Sequence, residues 1–127
     1  MDEKKVLIIE DDGLNMKLAR EIIRLGGYIP LEASDAETGI IVARKHKPNL
    51  ILMDMHLPRM DGLTATRIIK EDEDLREIPV LAVTALAMDD DREKARQAGC
   101  IGYVTKPYNV KTLLNTVNDL LKTKEDK

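Results

Sequence analysis

The sequence predicts a doubly wound α/β fold, one five-stranded parallel sheet covered by five helices, from three observations. Short apolar runs alternate strictly with longer amphipathic ones along all 127 residues. At least three of the short runs are continuously apolar, as strands buried on both faces are. The length suits one domain with a sizeable core, and 43% hydrophobic with 34% charged residues is the balance of a soluble globule.

Strand-length runs are Val6 to Ile9, Tyr28 to Leu31, Leu50 to Met53, Val80 to Val83 and Gly102 to Val104. In the first helix Leu14, Leu18, Ile22 and Leu25 fall on one face, and Gly26-Gly27 supplies the stop. Ser34-Asp-Ala-Glu37 reads as a capping box for a second helix that continues to Lys47 before Pro48. A third helix is expected from Leu63 to Glu71, and Pro79 introduces the fourth strand. Residues 89–98 form a polar fourth helix whose apolar face is little more than Ala95 and Ala98, so it is expected to be the loosest element. The fifth helix places Val110, Leu113, Leu114, Val117, Leu120 and Leu121 at spacings of three and four. The domain is therefore expected over residues 1–122, with 123–127 a solvated tail.

Several function classes drop out on composition. Lys and Arg total 20 against 23 Asp and Glu, without a basic block, so direct nucleic-acid binding is not expected. The apolar run after the charged N-terminus is too short for a signal peptide or a membrane span, which points to the cytoplasm and no membrane. Cys100 is the only cysteine and His46 and His56 stand far apart, so neither a disulfide frame nor a zinc spacing exists. Cys100 reads as a small core residue. Any metal is expected to be a hard cation held by oxygens.

In a doubly wound sheet, ligands bind beyond the carboxyl ends of the strands, where the strand order reverses. The tips here collect Glu10-Asp11-Asp12, Asp54, Thr84-Ala85 and Thr105-Lys106-Pro107. Crowded carboxylates repel by about 4 kcal/mol at ~4 Å and an effective dielectric of ~20. A divalent cation removes that penalty, and Mg²⁺ commonly takes one or two carboxylates plus phosphate oxygens. Thr84 and Lys106 would then hold the other oxygens of a phosphoryl group. Taken singly, Asp54 is as easily a turn or cap residue, Lys106 a solvated lysine and Thr84 a strand-end threonine. Asp72, Asp74 and Asp89 to Asp91 read as solvated surface, the last three favouring a helix N-terminus. Joint placement at four strand ends is what favours a site.

Four motifs in order, "VLIIEDDGLN", "LILMDMHLPRMDG", "VLAVTALA" and "GYVTKPYNVKTL", resemble the receiver domains of two-component response regulators, a CheY-like, flavodoxin-like fold, over essentially the whole chain. The resemblance implies that Asp54 is the phosphoacceptor, that Glu10 and Asp11 with Asp54 and the His56 backbone carbonyl hold Mg²⁺, and that Thr84 is the switch hydroxyl. Lys106 matches the phosphate-binding lysine and Tyr103 the rotating switch aromatic. Pro107 would follow a cis bond, which fits the proline rule. His56 and Leu86 occupy positions that tune dephosphorylation in the family.

The implied reaction is phosphoryl transfer from a phosphohistidine on a sensor histidine kinase or a histidine phosphotransfer protein to Asp54. Such a chain is a signalling domain that assists its own phosphorylation and dephosphorylation, not an enzyme acting on other molecules. By the same resemblance, the kinase or phosphotransfer helix docks on the first helix. A downstream effector protein would meet the face of the fourth helix, fifth strand and fifth helix, with the chain itself a monomer or a phosphorylation-promoted dimer. With no effector domain after the fifth helix, output is expected through protein contacts. Among single-domain members the motifs look closer to the DivK type than to the chemotaxis type. A receiver from a hybrid histidine kinase is an alternative.

Two rivals come from other classes. Haloacid dehalogenase phosphohydrolases also use an aspartyl nucleophile, but carry a second aspartate two residues later, where this chain has His56. A pseudo-receiver that never takes phosphate normally lacks an acid, the threonine or the lysine, and all are present here. Neither a Walker loop nor a dinucleotide fingerprint occurs.

Overall fold

The computed structural model describes residues 3–85 and 89–122; Leu86 and the expected tail, 123–127, lie outside the described residues. Elements follow in the order β1 (Lys5–Ile9), α1 (Gly13–Leu25), β2 (Ile29–Ala33), α2 (Ala36–His46), β3 (Leu50–Asp54), α3 (Gly62–Glu71), β4 (Val80–Thr84), α4 (Asp89–Ala98), β5 (Gly102–Thr105) and α5 (Val110–Lys122). All strands are parallel in the order β2-β1-β3-β4-β5. The expected α/β architecture is therefore present, and its order reverses between β1 and β3.

The continuously apolar runs become the centre of the sheet, where every residue of β3 and β4 is buried. Side chains alternate between two core halves. Leu7, Ile9, Ile51, Met53 and Ala82 face α2, α3 and α4, which contribute Ile40, Ile69 and Ala95. Val6, Ile8, Leu52, Leu81 and Val83 face α1 and α5, which contribute Met16, Ile23, Leu113 and Val117. Cys100 is buried in the first half, and Ala95 and Ala98 are buried on α4, both as expected. Among the described residues no helix is long and apolar enough to cross a membrane.

Three local expectations need correction. In α1 the buried residues are Met16, Ala19, Ile22 and Ile23, while Leu14 is 81% and Leu25 68% exposed. The helix carries two apolar stripes that overlap at Ile22, and the sheet takes the one in which Ala19 permits close approach. In α2 the cap is Asp35, which accepts the Thr38 N–H at 2.8 Å, so the helix starts one residue later than a Ser34 capping box requires. β2 runs past Leu31 to Ala33, and Tyr28 precedes it, its hydroxyl donating to Asn118 of α5. β2 is an edge strand, where Pro30 is tolerated and burial gives a weaker pattern to read.

Candidate functional site

Ile9, Met53 and Val83 end the apolar runs of β1, β3 and β4, and the next residue of each carries a polar group into the same corner. Glu10 follows β1, Asp54 closes β3 and Thr84 closes β4, and all three are buried. Lys106 follows β5, with its N–H donating to the Thr84 carbonyl at 2.8 Å and a cis peptide bond to Pro107. Buried polar groups need partners, and Lys106 supplies one to both Glu10 and Asp54, while His56 supplies one to Thr84.

The carboxylates of Glu10, Asp11 and Asp54 offer oxygens that lie within 4.8 Å of one another. Lys106 Nζ lies 2.9 Å from Glu10 Oε1 and 3.1 Å from Asp54 Oδ2. Asp54 Oδ1 accepts the His56 N–H at 3.0 Å, and Glu10 Oε2 accepts the Asp12 N–H at 3.2 Å. These groups border a cavity of about 450 Å³ that also reaches Ala85. Burial, then the nearby charge of Asp54, raises the Glu10 pKa above the usual carboxylate range, although hydrogen bonding to Lys106 opposes it. Burial alone would depress the Lys106 pKa, but hydrogen bonding to Glu10 and the charge of Asp54 outweigh it and raise it.

Thr84 and Tyr103 sit to one side of this acid cavity. Thr84 Oγ1 is 3.4 Å from His56 Nε2, within hydrogen-bonding distance. Both residues border a neighbouring cavity of about 590 Å³, with Tyr103, Asp91 and Lys94 among its walls. Tyr103 is half-buried, and the Arg92 guanidinium lies 4.5 Å above its ring centroid. The structure thus gathers Glu10, Asp11, Asp54 and Lys106 around one cavity and sets Thr84 and Tyr103 around the next, with Asp11 and His56 bordering both.

Sequence reasoning missed Tyr108. Its hydroxyl is buried and donates to Glu10 Oε1 at 3.2 Å. Burial, then the charge of Glu10, raises the phenol pKa, so the group is a donor here. The available signal was a tyrosine directly after Lys106-Pro107, because a buried phenol requires a polar partner.

Three carboxylates against one ammonium leave an excess of negative charge in a cavity of oxygen donors. The His56 ring is engaged with Thr84. This donor set fits a hard divalent cation rather than a soft one.

Residues 6–118 match the family model of the response regulator receiver domain. The chain is 45% identical over 118 residues to the polar-differentiation response regulator DivK of Brucella anthropi, covering 93% of this chain and 96% of that protein. It is 46% identical to DivK of Brucella melitensis, with the same coverage. Among solved structures, the receiver domain of a sensor histidine kinase from Pseudomonas aeruginosa, with a magnesium ion coordinated in its active site cleft, is 32% identical. It superposes with a TM-score of 0.86 over 94% of this chain and 98% of that one. Vibrio cholerae chemotaxis protein CheY4 gives 0.89 over 94% and 100%, a likeness of fold at 23% identity.

Proposed function

Since the chain belongs to the response regulator receiver domain family, we propose that Asp54 accepts a phosphoryl group in a phosphorylation-dependent signalling switch. The observation that carries this reading is Lys106 Nζ, shared between Asp54 and Glu10 beside Asp11 at the point where strand order reverses. An Asp54 carboxylate oxygen attacks phosphorus as the phosphorus–nitrogen bond of a phosphohistidine breaks, and the electron pair stays with the donor imidazole. Glu10, Asp11, Asp54 and the His56 backbone carbonyl would hold Mg²⁺, which when bound neutralises the charge of the phosphoryl oxygens.

Lys106 turns from the carboxylates to a phosphoryl oxygen, an exchange of one charge-assisted contact for another. Thr84 leaves His56 for a second oxygen, and Tyr103 moves into the space beside it. The cavity already open next to both residues supports this movement. Donor and output are separate surfaces. Leu14 and Leu18, exposed on α1, supply an apolar contact for a histidine kinase or phosphotransfer protein. Exposed Ile101 and Val110 mark the α4-β5-α5 face for an effector protein or a second copy. The switch is proposed to work in the cytoplasm, where its phosphohistidine donor would act.

The test is to incubate the protein and Asp54→Asn with Mg²⁺ and acetyl phosphate and to weigh both intact. A gain of one phosphate by the wild type alone, abolished by chelator, is the expected result. An equal gain by Asp54→Asn would move the acceptor elsewhere.

A further inference from the structure

We propose that the Tyr108 hydroxyl is a positioning group for the acid site, holding the Glu10 carboxylate in place for a cation when Lys106 turns to phosphate. This rests on the metal-binding reading above. Two side chains hold the Glu10 carboxylate: Lys106 Nζ donates to Oε2 at 3.1 Å and pairs with Oε1 at 2.9 Å, and the Tyr108 hydroxyl donates to Oε1 at 3.2 Å. The two differ in what they can do. Lys106 ends a flexible chain and is shared with Asp54, and it is the group expected to leave for a phosphoryl oxygen. Tyr108 ends a rigid ring that is buried in the core half of Leu113 and Val117.

When Lys106 leaves, Oε1 is a buried carboxylate oxygen that keeps the phenol as its donor, and Oε2 keeps the Asp12 N–H at 3.2 Å. Without the hydroxyl, Oε1 would have to turn towards the cavity or lose a partner in a buried setting, which costs more than an ordinary hydrogen bond contributes. The phenol therefore fixes the orientation of Glu10. The reach of a glutamate matters as well, because an aspartate at this position is one methylene shorter and withdraws from the ring.

The experiment measures the Mg²⁺ dissociation constant of the whole chain by titration calorimetry at fixed pH, without phosphodonor, for wild type, Tyr108→Phe and Tyr28→Phe. Tyr28 is the control, since its buried ring also carries a donating hydroxyl, to Asn118, and it adjoins Ile29, which pairs with Lys5 at the other end of the sheet from the acids. Tyr108→Phe is expected to weaken binding about threefold to tenfold, with Tyr28→Phe within about twofold of wild type. In a Glu10→Asp background the Tyr108→Phe change is expected to have no effect. The same weakening in both backgrounds, or none in the first, would overturn the proposal. A wild type that binds no Mg²⁺ would overturn the metal reading instead. A measurement on the unaltered protein stands beside these: with Mg²⁺ and beryllofluoride bound, the Tyr108 hydroxyl proton stays protected from exchange in NMR spectra, and its loss to solvent would equally overturn the proposal.

Discussion

Lys106 Nζ lies 3.1 Å from Asp54 Oδ2, so the residue proposed to receive the phosphoryl group is paired with the residue proposed to steady it. The same ammonium neutralises Glu10. Lys106→Ala leaves two buried carboxylates beside Asp11 without their cation and is expected to destabilise the protein in chelator by about 3 kcal/mol. Mg²⁺ then has less positive charge to compete with, so the variant is expected to gain more stability from it than the wild type does. Thermal melts with chelator and with Mg²⁺ decide this, and equal gains would mean that the lysine and the cation do not share a site.

A second prediction concerns Thr84, whose Oγ1 lies 3.4 Å from His56 Nε2. A hydrogen bond to a charged phosphoryl oxygen contributes about 1.5 to 3 kcal/mol. Shifting an equilibrium from about 1:99 to 99:1 needs ~5.5 kcal/mol, so Lys106 must act with Thr84. Thr84→Ala is expected to bind beryllofluoride with Mg²⁺ yet show smaller amide shifts in α4 than wild type by NMR. A full α4 response would remove Thr84 from the switch.

Much of this is legible in the sequence. Continuous apolar runs located β3 and β4, because strands buried on both faces leave no alternation to misread. The acids and Lys106 were legible because strand ends in this topology converge. The buried face of α1 was not. Leu14, Leu18 and Leu25 form the more apolar stripe, but a sheet selects by fit, and Met16, Ala19 and Ile23 are the ones it buries. Tyr108 was missed because its partner, Glu10, is 98 residues away in sequence.

The exposed stripe of α1 leads to a third prediction. Leu14 is 81% exposed, so Leu14→Glu leaves the core intact, and Leu18→Glu disturbs little more at 37%. Each is expected to cut phosphorylation by a phosphohistidine donor protein about tenfold or more, as loss of a buried interface anchor does, while acetyl phosphate labels it at the wild-type rate. Equal loss with both donors would indicate damage to the acid site instead of a docking surface.

Acid titration gives a fourth. Asp72 accepts from the Arg44 guanidinium and from the Asp74 N–H, and these bonds, in that order, hold its pKa below the ordinary 3.8. Asp35 is lowered chiefly by the Thr38 N–H that it caps. A carboxyl with a depressed folded pKa adds stability that is fully present above its unfolded pKa and is lost as pH falls through the folded one. Both are expected to titrate below 3.8 in NMR spectra, with stability declining from there downward. Asp72→Asn is expected to flatten that decline, and an unchanged slope would remove the Arg44 contact from the account.

The last prediction sets two glycines against each other. Gly62 opens α3 directly behind the Asp54 strand, its N–H donating to the Met55 carbonyl at 3.2 Å. A Cβ there would stand 2.4 Å from the Asp54 carbonyl oxygen and 2.8 Å from Met55 Cα. This backbone cannot swing away as a side-chain tip can, so Gly62→Ala must push α3 off the end of β3. The cost is expected to be about 1 to 3 kcal/mol, the range for overpacking a close contact. Because the displaced segment carries Asp54, phosphorylation by acetyl phosphate is expected to slow as well. Gly13 opens α1 with nothing within 4 Å of its would-be Cβ. Gly13→Ala is therefore expected to be neutral or to stabilise by up to ~1 kcal/mol, through the smaller entropy of the unfolded chain. Urea unfolding of the two variants compares steric contact with chain entropy at two helix starts, and equal stabilities would mean that the end of β3 yields more easily than its packing implies.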